Sequence, residues 1–420
     1  MIRKIFVGFM LILCAQANAQ EGSASPYSFF GIGELRFRGV MENQMMGGIS
    51  VFPDSTAISL RNPANFGSLK LTTYTVGASY TSLGLKTDDT QEDAEIYSFD
   101  YLALGFPVGK RMGVGFGIVP FTSVGYQLSS LDESREPAVL DRFSGEGGVN
   151  RVFLSAGYNI TKNFSFGGTV NYDFGKIENR AARFTDEVQL GTRETNRSTL
   201  RGLDFNLALN YKGKLGKKLT TRASVLFSPE ADLSSENERQ FSTITLIRGV
   251  EVPTETIDID LEAINLRKTD LTLPATTTFG LGIGEDKKWF LGAEYELKKT
   301  SNFDNPFLSI TNVAYEDATR FSAGGFYIPQ YNSFSSYWKR VVYRAGLRYE
   351  QTGIRINNLP VNDFGMSFGL GLPVGLSKIN LGFEVGRRGT TSAQRIEENY
   401  FNVNLSLSLV DKWFQKNKYQ

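Results

Sequence analysis

The stretch Phe401-Asn402-Val403-Asn404-Leu405-Ser406-Leu407-Ser408-Leu409 alternates apolar and polar side chains without a break. Successive side chains of a β-strand point to opposite faces, so this stretch predicts a strand with one apolar face and one polar face. The same alternation recurs within residues 152–160, 203–212, 289–298 and 379–386. We therefore predict an all-β protein in which each strand has an apolar side and a polar side.

Two all-β architectures contain such strands, namely a soluble sandwich and a barrel that crosses a membrane. The polar side here is rich in Gly, Ser and Asn, and the strands reach the roughly 9–11 residues that a tilted membrane strand requires. From about Lys70 onward short turns alternate with longer polar loops, in a pattern that gives about 14 strands, an even number suited to closure. We favour a transmembrane antiparallel β-barrel over residues 70–420, with the sandwich as the alternative.

The beginning of the chain is typical of an exported protein. Arg3 and Lys4 precede a short apolar run, and Ala17-Asn18-Ala19 has the small-x-small pattern of a signal peptidase site. Residues 1–19 are thus predicted to be a cleaved signal peptide, with the mature chain starting at Gln20 and residing in the cell outer membrane as a multi-pass protein. Residues 20–69 do not alternate and are too short for an independent core. We interpret them as a hatch or plug inside the barrel, with a periplasmic tail as the alternative.

The composition excludes several kinds of chemistry. The chain has no His, and its single Cys, Cys14, lies in the predicted signal peptide. Disulfides, Cys nucleophiles, His bases and imidazole metal ligands are therefore excluded from the mature protein. Lys and Arg total 45 against 44 Asp and Glu, and loss of Arg3 and Lys4 leaves 43 against 44, which argues against a nucleic-acid partner. We predict no catalytic residue, no metal, no cofactor and no enzymatic activity.

Two glycine patterns resemble functional motifs. Gly365-Met366-Ser367-Phe368-Gly369 has the spacing of a nucleophile elbow, yet without His the usual triad cannot form. Gly113-Val114-Gly115-Phe116-Gly117 and Gly280-Leu281-Gly282-Ile283-Gly284 resemble phosphate-binding loops, but no helical period follows either one. We interpret these glycines as small lumen-facing residues that leave room for a plug.

Six further stretches of the sequence form recognisable motifs: Gly47-Gly48-Ile49-Ser50, Asp54-Ser55-Thr56-Ala57, Arg61-Asn62-Pro63-Ala64, Leu273-Pro274-Ala275, the segment 343–349 and the segment 367–371. Together they resemble the FadL/TodX-type (OMPP1) family of outer-membrane transporters for hydrophobic compounds. The resemblance implies a 14-stranded barrel with an N-terminal hatch, and diffusion of an apolar ligand toward a lateral opening. Gly386-Arg387-Arg388-Gly389 and the continuation past Leu409 to Gln420 are more similar to a divergent branch of that family.

The candidate site residues are of two kinds. The first is the predicted hatch turn at Asn62, Pro63 and Ala64. The second is a group of polar side chains on the inward side of strands, which either line a ligand path or form ion pairs that hold the hatch: Asp204, Asn206, Glu294, Glu296, Arg344, Arg348 and Glu350. The longest predicted loop, 230–268, is interpreted as a cap or a partner surface.

Two functions remain open at this point. The leading one is an outer-membrane channel for small hydrophobic molecules such as long-chain fatty acids or hydrocarbons. The other is a non-catalytic accessory barrel of an outer-membrane secretion or protein-assembly complex, whose partners would be other subunits. Outer-membrane lipid is a partner in both cases. A channel needs a continuous apolar pocket behind Asn62-Pro63-Ala64, whereas an accessory barrel can be filled with packed side chains.

Overall fold

The computed structural model describes residues 22–308, 313–393 and 395–411. The predicted signal peptide, Gln20, Cys14 and the chain after Asp411 lie outside the described residues. The helical elements are short: 3-10 turns at Pro26–Phe29, Pro63–Ser68, Thr300–Asn302 and Trp338–Arg340, and a single α-helical turn at Met41–Gln44. None of the described helices has the length and apolar character needed to span a membrane.

Strands make up most of the described chain. They are β1 (Glu34–Leu35), β2 (Thr72–Lys86), β3 (Gln91–Val108), β4 (Met112–Asp132), β5 (Val139–Asn159), β6 (Phe164–Thr185), β7 (Gly191–Leu215), β8 (Leu219–Ser228), β9 (Ala231–Ile247), β10 (Val250–Asp258), β11 (Lys268–Leu273), β12 (Thr276–Glu285), β13 (Trp289–Lys298), β14 (Val313–Tyr315), β15 (Ala318–Tyr327), β16 (Val342–Ile356), β17 (Leu359–Val374), β18 (Ser377–Gly389) and β19 (Glu397–Asp411).

Within the described residues, fourteen of these strands form a closed antiparallel wall. Their order is β2 to β8, then β12, β13 and β15 to β19. The barrel closes where β19 pairs with β2, from Glu397 opposite Lys86 to Asp411 opposite Thr72. Closure leaves no long strand edge exposed at this seam, as a lipid environment requires. The predicted fold class and strand number are confirmed.

The facing of the strands follows the sequence alternation. On β19, Leu405 points outward with 46% of its surface exposed, whereas the neighbouring Ser406 points inward and is 1% exposed. On β7, Leu203, Phe205 and Leu207 are exposed in the same way around buried Asp204 and Asn206. A band of exposed apolar side chains around a polar interior is the arrangement of a membrane barrel.

At the end opposite the short turns, the strands run further than the sequence predicted. Two of the longer polar stretches, 129–143 and 177–197, are largely strand, because β4 to β7 extend through them. The predicted loop 230–268 is also wrong as a loop, since it contains β9 and the β9–β10 hairpin, which continues from β8. Beyond the membrane both faces of a strand are exposed to water, so apolar and polar residues no longer alternate. The strands still pair there, and cross-strand contacts such as Glu178 with Arg197 stabilise the pairing.

One position of the wall is discontinuous. The pairing of β3 with β4 ends at Leu102 opposite Ile118, although both strands continue beyond this point. A bulge follows on β4 between Pro120 and Thr122. There the N-terminal strand β1 pairs with β4, with Leu35 opposite Thr122. The N-terminal chain therefore contributes backbone hydrogen bonds where the wall strands separate.

Candidate functional site

Residues 22–71, here called the N-terminal segment, pack against the inner surface of the barrel. Glycines of the wall lie where the segment comes closest. A Cβ added to Gly113 would lie 2.0 Å from the Phe66 carbonyl oxygen, and one added to Gly167 would lie 2.3 Å from the Ala64 nitrogen. Any larger residue would overlap the segment, so these glycines permit its close approach. Gly113 and Gly115 thus have the role that we inferred for their glycine pattern, since Gly115 faces the Phe66 ring.

The turn at Asn62-Pro63-Ala64 is firmly connected to the wall. Asn62 caps the 3-10 turn that begins at Pro63, because its side chain accepts a hydrogen bond from the Ala64 N–H at 3.2 Å. Pro63 suits the first position of such a turn, where no N–H donor is required. The Asn62 Nδ2 donates to the Asn210 Oδ1 on β7 at 2.9 Å, and the Asn210 Nδ2 donates to the Asn65 Oδ1 at 2.8 Å. This amide network fixes the turn against β7.

The space behind the turn is occupied. Ala64 packs in one buried cluster with Ala208 of β7 and Leu226 of β8. Asn62 is fully buried, and its polar atoms are used by the contacts with Ala64 and Asn210. An apolar ligand at this position would have to displace packed side chains and break buried hydrogen bonds.

Arg61 joins the N-terminal segment to β13. Its guanidinium lies 2.6 Å from the Glu296 carboxylate and 3.6 Å from that of Glu294. The Glu294 Oε1 also accepts a hydrogen bond from the Ser50 N–H at 2.6 Å. Glu296 is shared with Arg320 of β15, at 3.0 Å. Both predicted inward-facing glutamates therefore contact groups that hold the segment or the adjoining wall.

A second ion cluster lies on β5, β6 and β7. Arg151 makes a bidentate contact with Asp173, at 2.7 and 2.8 Å, and also contacts Asp204. The Phe121 ring lies 3.8 Å from the Arg151 guanidinium carbon. Asp204 is one of the predicted site residues, and the structure gives it a wall-to-wall contact. The neighbouring Asn206 is buried and accepts a hydrogen bond from Ser228.

A third cluster connects β16 with β17, β18 and β19. The Arg348 guanidinium lies 3.1 Å from the Glu384 carboxylate and 3.5 Å from that of Asp363, and donates to the Tyr400 hydroxyl at 2.7 Å. Asp363 also accepts a hydrogen bond from the Tyr400 hydroxyl at 2.8 Å. Buried charges that are paired in this way are retained, because an isolated one would be strongly destabilising.

Arg388 extends this cluster to the N-terminal segment. It contacts Glu34 of β1 at 2.8 Å, Asp363 at 3.1 Å and Glu398 at 3.4 Å. Glu398 in turn accepts a hydrogen bond from the hydroxyl of Ser25. The Glu34 side chain therefore connects β1 to β18, and the β1 backbone pairs with β4. The Ser25 hydroxyl connects the N-terminal segment to β19.

Two predicted site residues have weaker contacts. Arg344 is buried and donates to the Asn380 Oδ1 at 3.2 Å, and Asn380 donates to Glu42 of the N-terminal segment at 3.0 Å. Glu350 lies 4.0 Å from Arg320 and is partly exposed. The predicted residues are thus distributed over separate clusters rather than gathered in one pocket.

Four important residues were not selected from the sequence: Glu34, Arg61, Arg151 and Arg388. Arg151 could have been found, because it shares the inward parity of Phe153 and Ser155 on β5. Arg61 and Arg388 lie within motifs that carry the family resemblance, but no local pattern assigns them partners. Glu34 lies in a segment without any period.

Two cavities adjoin these clusters. The larger, here called the vestibule, has a volume of about 810 Å³ and lies at the short-turn end, where turn residues such as Lys110, Lys162 and Lys287 line it together with Phe52 and Phe326. The smaller has a volume of about 120 Å³ and lies between β1 and the polar side chains of β18 and β19. Across the described ranges, no group of three or more acidic, His or Cys side chains is arranged to hold a metal ion.

The closed fourteen-strand barrel is a fold that solved channels for hydrocarbons share. Three solved structures at 16% identity share it: the monoaromatic hydrocarbon channel CymD (91% of this chain, 100% of that chain, TM-score 0.58), the toluene transporter TbuX of Ralstonia pickettii (89%, 99%, 0.58) and the toluene transporter TodX of Pseudomonas putida (90%, 100%, 0.59). The resemblance to the FadL/TodX type is confirmed for the fold.

The family of the chain is defined over its whole length. The BamG family model matches residues 1–420, and the protein belongs to the BamG family. No curated protein matches the sequence. The low identity to the solved channels agrees with a divergent branch of the FadL-like barrels.

Proposed function

We propose that this protein is a non-transporting barrel of the outer membrane that serves as an accessory subunit of a secretion or protein-assembly complex. The observation that carries the proposal is the filled space behind Asn62-Pro63-Ala64, where Ala64, Ala208 and Leu226 pack together and Asn62 bonds to Asn210. A barrel whose lumen is blocked at this turn can serve as a scaffold for partners.

The charges of the lumen support the same conclusion. The clusters around Arg61, Arg151 and Arg388 lie inside the wall. A hydrophobic molecule passing these groups would remove them from their partners or leave polar atoms without water, both of which are costly. Pockets for apolar ligands are instead lined mainly by apolar side chains with few polar groups.

The position in the membrane follows from the surface. The outward-facing apolar side chains of β7 and β19 support a lipid-facing band. The predicted signal peptide supports export. Short turns of outer-membrane barrels face the periplasm, which orients the vestibule toward that compartment. The absence of His from the whole chain excludes only catalysis that depends on an imidazole base.

A second function is favoured by one observation. The pairing of β3 with β4 stops at Leu102 and Ile118, and this discontinuity offers an exit for a small hydrophobic molecule. The structural relatives CymD, TbuX and TodX are described as channels or transporters for toluene or monoaromatic hydrocarbons. In this function the protein conducts small apolar molecules such as hydrocarbons or long-chain fatty acids.

Purification at native abundance tests the first function. The chromosomal copy is tagged, membranes are dissolved in mild detergent, and co-purifying proteins and lipids are identified together after cross-linking. We expect outer-membrane or periplasmic proteins to co-purify with the barrel in stoichiometric amounts. Recovery of the barrel alone, with a hydrophobic small molecule bound, would contradict the accessory role.

Uptake into proteoliposomes separates the two functions directly. The probes are toluene and a long-chain fatty acid, and empty vesicles are the control. The accessory role predicts uptake equal to the control. The channel role predicts faster uptake that changes when Asn62 and Pro63 are both replaced by Gly, because these substitutions loosen the turn while leaving the barrel strands intact.

A further inference from the structure

The short-turn end of the barrel carries a concentrated positive charge. In the turns 109–111, 161–163, 212–218, 285–288 and 328–341 there are eleven Lys or Arg residues and two carboxylates, Glu285 and Asp286. The whole chain, by contrast, is almost balanced at 45 against 44. The net charge is therefore segregated to one end of the molecule.

Many of these cations face the vestibule. Its lining includes Lys110, Arg111, Lys162, Lys212, Lys287 and Arg340 from the turns. A concave site lined by one sign of charge focuses the electrostatic potential and attracts counter-charged groups.

The carboxylates of the vestibule are already engaged. Asp54 lies 2.7 Å from Lys378, Asp286 lies 3.7 Å from Arg222, and Glu42 accepts a hydrogen bond from Asn380. In the part of the chain that the structure describes, no carboxylate lies within ion-pair distance of Lys110, Lys162 or Lys212. The charges of these three turn lysines are thus left without an internal partner.

The opposite end of the barrel behaves differently. There Arg183 pairs with Asp141 at 2.7 Å, Arg197 with Glu178 at 2.5 Å and Arg355 with Glu316 at 2.8 Å. Residues 86–95 of the hairpin between β2 and β3 at that end add five carboxylates against one Lys, so the excess of positive charge is specific to the short-turn end.

We propose that the vestibule binds an acidic segment of a periplasmic protein, which enters the open end of the barrel. This inference rests on the proposed accessory role and names the chemistry of the partner. The lining also includes the apolar side chains Phe52, Phe326, Ile328 and Tyr331, which fit an aromatic or aliphatic residue within the acidic segment. Lipid headgroups surround the outer rim, whereas these cations line a concavity inside it, which favours a polypeptide.

The matched variants come from the same turns. Lys110→Gln, Lys162→Gln and Lys212→Gln together remove three charges from the lining. Lys214→Gln, Lys217→Gln and Lys218→Gln remove three exposed charges from the same end at positions that do not line the vestibule. Both triple variants should show the heat-dependent gel mobility of the parent barrel, which verifies folding.

The binding probe is a short fluorescent peptide of Glu and Gly with a central Phe, titrated against the full-length protein in zwitterionic nanodiscs. We expect the vestibule variant to weaken binding roughly tenfold, since three charge contacts are lost, and the rim variant to change it little. Binding should also weaken with added salt. Equal weakening by both variants, or no binding of the peptide by the parent, would overturn the proposal. Binding that requires phosphatidylglycerol in the nanodisc would overturn it in favour of lipid.

Native purification distinguishes this inference from the accessory role itself. If the parent protein retains a periplasmic partner and the vestibule variant loses it, the accessory role and the inference about the vestibule are both supported. If the vestibule variant retains every partner, the accessory role stands and the inference is wrong. If the parent protein has no protein partner, the accessory role is wrong.

Discussion

Glu34 and Arg388 are 354 positions apart in the chain, and their side chains meet inside the barrel at 2.8 Å. This contact connects β1, which pairs with β4 at the discontinuity of the wall, to β18. The N-terminal chain is therefore held between two parts of the wall by a charge pair on one side and backbone hydrogen bonds on the other.

Glu34→Gln should loosen β1 locally without unfolding the barrel. The substitution removes a charge-assisted contact worth roughly 1–3 kcal/mol. Hydrogen exchange measures the effect at the Arg36 amide, which donates to the Phe121 carbonyl oxygen at 3.0 Å. We expect this amide to exchange faster. Glu397→Gln, which removes a contact with the exposed Arg387, is the control, and equal acceleration in both variants would refute the assignment.

Gly167→Ala should displace the N-terminal segment, because the added Cβ would lie 2.3 Å from the Ala64 nitrogen. Gly168→Ala is the matched control, since its Cβ would meet nothing closer than 3.6 Å. Limited proteolysis of the folded barrel measures the accessibility of the segment. We expect faster cleavage within residues 50–70 in the first variant, and unchanged cleavage would show that the glycine is not required for packing.

Leu405→Arg should impair membrane insertion, because Leu405 faces outward near the middle of β19 and a lipid-facing Arg costs roughly 2–4 kcal/mol at mid-membrane depth. Asn402→Arg places the same side chain on the inward face of β19, beside the small cavity and near Glu384. The fraction of heat-modifiable protein in membranes measures insertion. A greater loss for Asn402→Arg than for Leu405→Arg would mean that the facing is reversed.

Asp54→Asn should weaken the attachment of the N-terminal segment to β18 in a pH-dependent manner. Burial alone would raise the pKa of the Asp54 carboxyl, but the Lys378 ammonium at 2.7 Å and hydrogen bonds from Thr56 hold that pKa well below its usual value of 3.8. The stabilising contribution is thus fully present above the ordinary value and is lost as the pH falls toward the lower pKa of the folded state.

Thermal unfolding at several pH values measures this effect. The parent should be more stable than Asp54→Asn at pH 7 by about 1 kcal/mol or less, because the pair is partly exposed. The difference should shrink below the ordinary pKa. Asp88→Asn, in the exposed turn after β2, should change neither stability nor its pH dependence. A difference that persists unchanged in acid would exclude the Lys378 pair as its cause.

Local patterns of this chain could be predicted from the sequence, whereas its long-range contacts could not. The opposite facing of Leu405 and Ser406 could be predicted, because successive side chains of a pleated strand always point to opposite sides. The extension of β9 through the predicted loop could not be predicted from the sequence. The residues of β9 have no lipid-facing side, so nothing requires apolar and polar residues to alternate there. Arg61 could be recognised as part of a motif, but its pairing with Glu296 joins residues 235 positions apart.

The sequence by itself determined that this chain forms a closed membrane-type barrel, and the number of its strands. The reason is physical: a membrane strand needs a period of two, and each reversal of direction needs a turn. Only the tertiary structure decided what fills the lumen, where the wall is discontinuous and which charges remain unpaired. Those features depend on which strands face one another across the barrel, and curvature and closure set that relation rather than any local run of residues.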